Sequence, residues 1–196
     1  MNISSILAVS SGIIQLVAHI PILIGIFKGQ TKPSTTATGI WTFVSFALLA
    51  SSYSSGVRTN LPFLIAGCVA TTTVFILSLK YGYRKWSVID PICVVLGLFS
   101  LIIWYITQQA SYAVYLLTLL DWIAVAPVIY KSWYDPETEN KLGWSISFVA
   151  TVFVVLSIRD WRLVTVVVAF TQIAHSVIIN TLIRLPAHHK KQIGIL

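Results

Sequence analysis

The chain has 196 residues, 57% of them apolar or aromatic and only 10% charged, with a mean hydropathy of +0.85. A soluble domain carries about 25% charged residues, so this composition excludes an ordinary water-soluble fold. Seven membrane-spanning helices of about 20 residues each would occupy roughly 140 positions, which leaves no room for a separate catalytic domain, a nucleotide-binding domain or a long disordered arm. The formal net charge of +7 does not call for nucleic acid as a partner, because Lys and Arg of membrane proteins collect in cytoplasmic loops and report orientation first.

The first apolar run, 4–27, follows Met1-Asn2-Ile3-Ser4-Ser5 with no Lys or Arg ahead of it. It continues well beyond a signal-peptide core and is expected to be a retained first helix. Further apolar segments predict helices over 37–55, 61–80, 87–107, 110–131, 141–158 and 161–184. Ser51, Ser52, Ser54 and Ser55 dilute the second of these, and Arg159-Asp160 stops the sixth abruptly. Barrel strands would show about ten residues of alternating polarity, so the expected fold is an all-α polytopic membrane protein. Cys68 and Cys93 fall inside apolar runs, where a thiol behaves as a small hydrophobe. No disulfide framework, metal site or cofactor is expected.

Orientation follows from the cations. Lys28 and Lys32, Lys80, Arg84 and Lys85, Lys131 and Lys141, and Arg184, Lys190 and Lys191 occupy alternate loops and the tail, which seven helices place on one face. Only Arg58, Arg159 and Arg162 remain for the other. This bias predicts an outside N-terminus and a cytoplasmic C-terminus, in the cell inner membrane were the source bacterial.

Two stretches repeat. Gln15-Leu16-Val17-Ala18-His19-Ile20-Pro21 aligns with Asp121-Trp122-Ile123-Ala124-Val125-Ala126-Pro127 at a constant offset of 106, each with a polar residue six positions before a proline. Each proline is followed by a Lys-containing loop and then a tryptophan that opens the next helix, Trp41 or Trp144. The expected organisation is therefore 3+1+3. Residues 1–86 form one triple-helix repeat, 87–109 an inversion linker helix, 110–184 a second repeat parallel to the first, and 185–196 a cytoplasmic tail. Such paired repeats are a transporter plan with a site near the midplane.

The stretches Pro21 to Trp41, and Pro127-Val128-Ile129-Tyr130-Lys131 through Asp135-Pro136-Glu137-Thr138-Glu139 to Trp144-Ser145, resemble the two repeats of the PQ-loop superfamily, which includes the SWEET sugar transporters. The likeness spans nearly the whole chain. The Pro-Gln dipeptide itself is absent, since Ile22 and Val128 follow the prolines. Where those sugar carriers present an Asn midway along the third helix of each repeat, this chain has Thr71, Thr72 and Thr73 in one and Thr171, Gln172 and His175 in the other. The resemblance implies the seven-helix fold and alternating access, and leaves the solute open.

Asp121 is the principal candidate site residue. A carboxylate at a helix centre costs about 2.5–3.5 kcal/mol on insertion scales, so it should face the bundle interior and have a partner. It suits a proton carrier, with a structural hydrogen bond, to Thr118 one turn earlier or between helices to His19 or His175, as the plainer reading. Ser11, Gln15 and His19 recur every four residues on one face of the first helix, as do Gln172, Ser176 and Asn180 on the seventh. Two polar stripes suggest a shared hydrated path, with hydrogen-bonded glue as the plainer reading of each residue. A free imidazole titrates near neutral pH, so His19 and His175 could relay protons to Asp121, or sit neutral and satisfied. The candidate substrate-binding or proton-coupling set is thus Asp121, Gln15, His19, Thr72, Gln172 and His175. Pro21 and Pro127 are candidate hinges, since each removes a helical hydrogen bond. Asp90 has a simpler account as an ion-pair partner of Arg84 or Lys85, and the tryptophans as interfacial anchors.

These features predict a small-solute transporter or facilitator with alternating access, proton-linked through Asp121, whose partners are a small polar solute and the bilayer, with a second copy of the chain as a further candidate. The competing class is a membrane receptor or assembly factor on the same scaffold, as the KDEL receptors resemble. A retinal photoreceptor is disfavoured because no lysine lies between Trp161 and Ile183. An enzyme is not expected, as there is no GxSxG and no Gly-rich phosphate loop. Reporter fusions at Leu196 and within the 132–141 loop should both score as cytoplasmic, and opposite results would mean a different helix count.

Overall fold

The computed structural model describes residues 2–31, 33, 35–82, 89–134 and 136–185. Lys32, Arg84, Lys85, Trp86, Asp135 and the tail from 186 lie outside the described residues, as do the side chains of Asp90, Pro127 and Lys131. Among the described residues there are seven α-helices: α1 (Ile3–Phe27), α2 (Thr35–Ser54), α3 (Leu61–Tyr81), α4 (Ile89–Thr107), α5 (Ala110–Tyr134), α6 (Lys141–Ser157) and α7 (Leu163–Leu182). A short 3-10 turn, Pro136–Thr138, precedes α6. Every helix starts and stops within three residues of its predicted segment.

Local chemistry accounts for several of the boundaries. Asn2 caps α1 by accepting from Ser5 N at 3.0 Å, and Asn140 caps α6 by accepting from Gly143 N at 2.8 Å. After α1 and α2 the chain turns at Gly29 (φ 70°) and Gly56 (φ 79°), left-handed conformations that glycine adopts without a Cβ penalty. Only Gln108 and Gln109 separate α4 from α5, which folds these two helices back on each other.

The packing order is simple. α1 lies between α3 and α6, α2 between α3 and α5, and α7 between α5 and α6, so six helices close a ring in the order α1, α3, α2, α5, α7, α6. α4 stands outside, against α5 and more lightly against α2. The largest apolar cluster joins α2, α5 and α7 through Val44, Leu48, Val114, Leu117, Leu120 and Val168. A second joins α3, α6 and α7 through Phe63, Ala150, Val154 and Ala169.

The polarity of the surface is reversed relative to a protein in water. On α1 the buried positions are Ala8, Ser11, Gly12, Gln15 and Ala18, whereas Ile6, Val9, Ile13, Leu16, Ile20 and Ile24 form an exposed stripe at helical spacing. Val95, Leu98, Phe99, Ile102 and Ile106 expose a similar face on α4. Apolar surface of this extent is a liability in water and is suited to hydrocarbon. Among the described residues, three helices, α1, α3 and α7, are by length and composition long and apolar enough to cross a membrane.

Small residues let the helices approach closely. A Cβ at Gly12 would lie 2.5 Å from the Pro62 carbonyl oxygen of α3, and one at Gly143 would lie 3.0 Å from the Ala18 carbonyl oxygen of α1. Backbone cannot yield as a flexible side chain can. Gly12→Val should therefore destabilise the protein by about 1–3 kcal/mol, as overpacking does. Gly67→Ala, where nothing lies within 4 Å, should leave the melting temperature in detergent unchanged or raise it. Equal melting of the two variants would refute the close approach.

Candidate functional site

Asp121 lies on α5, and its Oδ2 accepts a hydrogen bond from Gln172 Nε2 of α7 at 2.9 Å. The same oxygen stands 3.6 Å from Nδ1 of His175, close enough for an ion pair when the ring is protonated and just too long for a hydrogen bond. Asp121 is 8% exposed and His175 6%. Gln172 and His175 are three positions apart on α7 and so reach the same neighbour. Thr171, four positions before His175, meets the next residue of α5: Trp122 Nε1 donates to Thr171 Oγ1 at 3.2 Å. The Trp122 ring stands edge-on to His175 with centroids 4.2 Å apart. A carboxylate, an amide, an imidazole, an indole and a hydroxyl are thereby gathered at one level of the α5–α7 contact. Thr118 takes no part, since its hydroxyl bonds Val114 O at 2.7 Å within its own helix.

The remaining expected residues fall elsewhere on the ring. Gln15 of α1 accepts from Ser147 Oγ of α6 at 2.9 Å, and His19 Nδ1 lies 2.9 Å from the Gln15 carbonyl oxygen. Gln15 is buried and His19 half-buried. Thr72 borders a groove of about 400 Å³ between α2 and α3, walled by Phe46, Leu49, Ile65 and Val69. Its buried hydroxyl has no hydrogen-bond partner among the described residues. The structure thus brings Asp121, Gln172 and His175 into one cluster, joins Gln15 to His19 in a second, and sets Thr72 at the groove.

Of the candidate hinges, Pro21 lies within α1, which continues through it to Phe27. The Pro21 carbonyl oxygen accepts from Asn140 Nδ2 at 2.9 Å, so the side chain that caps α6 also ties that helix to α1. Pro127 lies within α5. At the same end Asn180 Nδ2 of α7 donates to Trp144 O of α6 at 2.9 Å. At the opposite end Asn60, before α3, donates through Nδ2 to Thr165 O of α7 at 2.9 Å. Arg162, paired with Asp160 in the connection between α6 and α7, holds that exposed carboxyl below the usual carboxylate range.

Trp122, Ser147, Asn140 and Asn60 are structural participants that the sequence does not single out. Asn140 carries a readable sign, an Asn immediately before an apolar run, which marks a helix start. The partners of the other three depend on helix packing and leave no local trace. Among the described residues no group of three His, Cys, Asp or Glu side chains could hold a metal ion. No family model matches the chain, and neither the curated proteins nor the solved structures contain a match.

The Asp121–Gln172 bond makes a checkable claim about stability. Gln172→Leu should cost about 1–3 kcal/mol by leaving a buried carboxyl oxygen unpaired. Adding Asp121→Leu should recover much of that loss, because removing both polar groups removes the penalty. Additive losses in thermal unfolding of the single and double variants would mean that the two side chains are not partners.

Proposed function

We propose that the chain is a membrane transporter or facilitator for a small polar solute, which alternates its opening between two parallel three-helix units and couples a proton through Asp121. The observation that carries this reading is the Asp121–Gln172–His175 cluster, buried polar chemistry in a bundle whose outer surface is apolar. An ionisable side chain in such a setting marks a solute or proton pathway more often than a structural tie.

The packing order supports the paired units. Exchanging α1, α2 and α3 with α5, α6 and α7 leaves the ring order unchanged, as a two-fold axis through its centre would require, and α4 stands outside that relation. This is the arrangement implied by the resemblance to the PQ-loop and SWEET proteins, with residues 87–109 as the inversion linker. The same reading assigns the Lys-bearing end to the cytoplasm. Pro21 and Pro127, at equivalent positions in the two units, are where α1 and α5 would flex, and the Asn140–Pro21 bond gives the first of them a grip on α6.

The competing reading, a receptor or assembly factor on this scaffold, treats the α5–α7 cluster as glue and predicts ligand binding without flux. Asp121→Asn separates the two, because the amide keeps the shape and cannot exchange a proton. In proteoliposomes the variant should fold normally and lose the pH dependence of solute uptake. A well-folded variant with unchanged pH-dependent flux would refute proton coupling through Asp121. Absence of flux for any ligand that binds the wild-type protein would favour the receptor.

A further inference from the structure

His175 is a buried imidazole with only one side engaged. Its Nδ1 faces the Asp121 carboxylate at 3.6 Å and its ring packs edge-on against Trp122. Nε2 is buried without a hydrogen-bond partner among the described residues. A neutral imidazole carries one proton, and the nitrogen turned toward an ionised carboxylate is the one that holds it. Nε2 is then a bare acceptor, in a place where an unmade hydrogen bond is expensive.

We infer that Nε2 of His175 is the solute's point of attachment, that the group it takes is a hydrogen-bond donor, an ammonium or a hydroxyl, and that one proton delivered to the Asp121–His175 pair expels it. This rests on the transport reading and adds to it the polarity of the solute and the sense of the coupling. An anion is the wrong ligand, since it would set its oxygens against a lone pair and lie near the Asp121 carboxylate.

The expulsion follows from tautomer chemistry and does not depend on which partner keeps the proton. If the proton settles on the ring, both nitrogens carry hydrogen. If it settles on Asp121, the pair closes from 3.6 Å to hydrogen-bond distance and the carboxylic acid donates to Nδ1, whose own hydrogen passes to the carboxyl as Nε2 takes the incoming one. Either way Nε2 changes from acceptor to donor and faces a solute that also donates. The pair titrates as a unit. Asp121 is the titratable side chain of α5 in contact with His175. The described side chains of α6 add only Lys141, at the far end and paired with Glu137. Asn60, just before α3, reaches α7 at Thr165, and the cation of α3, Lys80, lies at the opposite end of that helix. Arg184, beyond the end of α7, is held by Asn180 and Ser145.

The test uses the purified full chain in detergent, with ethanolamine as the ammonium probe, glycerol as the hydroxyl probe and acetate as the anion control. Binding is read by calorimetry and by tryptophan fluorescence. At least one donor probe should bind at about pH 8 and weaken about tenfold by about pH 5.5, as expected for one proton competing with one ligand. Ethanolamine alone would identify an ammonium site, and glycerol alone a hydroxyl site. His175→Phe should abolish this binding. His175→Gln, which offers an amide oxygen and cannot titrate, should bind with little pH dependence. The inference is overturned if acetate binds as well as the donors, if wild-type binding is indifferent to pH, or if no probe binds, since the nitrogen would then hold only water. Flux that persists in a folded His175→Phe variant would remove the site and leave transport standing. PH-sensitive binding with no flux would remove transport and leave the site.

Discussion

A polar side chain in an apolar chain gains most by finding its partner inside the bundle, and this pressure shapes how the residues of the protein pair. Many hydroxyls satisfy themselves locally: Ser11 bonds Ala8 O at 2.7 Å, Thr71 bonds Gly67 O at 2.9 Å and Thr118 bonds Val114 O at 2.7 Å, each within its own helix. Longer side chains reach across. Asp121 with Gln172, Gln15 with Ser147, Asn140 with Pro21, Asn180 with Trp144 and Asn60 with Thr165 are all bonds between elements. Each is worth roughly 0.6 kcal/mol on average in a membrane, so they fix register more than they supply stability. Close packing at Gly12 and Gly143 supplies the rest, because it brings backbones near enough for short side chains to meet.

The same pressure gives the two ends of the ring different characters. Near the Lys-bearing end, Asn140 joins α6 to α1 at Pro21, and Arg184 Nη1 stays on Asn180 Oδ1 at 2.7 Å. Near the other end, Asn60 spans from the start of α3 to α7, Ser4 of α1 donates to the Ser157 carbonyl oxygen of α6, and Arg162 pairs with Asp160. Between them lies the Asp121 cluster. On the proposed reading it is the place where a solute arriving from either end meets ionisable chemistry, and the ties at the ends are what opening must exchange.

Much of the fold is legible in the sequence because hydrocarbon imposes a coarse rule, long apolar runs separated by short polar clusters. Even α2, diluted by serines, and α6, stopped at Arg159, form where their patterns indicate. The serines of α2 illustrate why: Ser51 is fully buried and bonds Ala47 O at 2.7 Å, so it costs the helix little. Pairing between helices is less legible. Asp121, Gln172 and His175 are each conspicuous as polar residues in apolar surroundings, and they do meet. The periodicity that marks Gln15 cannot tell that it turns to Ser147 on α6, nor can any local pattern announce Trp122 as the partner of Thr171 and His175. Those contacts are set by which helices are neighbours in the ring, information held in the sum of all the packing.

On the proposed reading the ring has a hydrated, polar interior and a lipid-facing exterior. Cysteine accessibility in membranes measures this directly, with Cys68 and Cys93 first replaced by alanine and a charged, impermeant thiol reagent applied to single-cysteine variants. Gln172→Cys and Gln15→Cys should react, and Ile13→Cys and Phe170→Cys, on the exposed apolar stripes, should resist. Rapid reaction at Ile13→Cys and Phe170→Cys with none at the two glutamine positions would contradict the account.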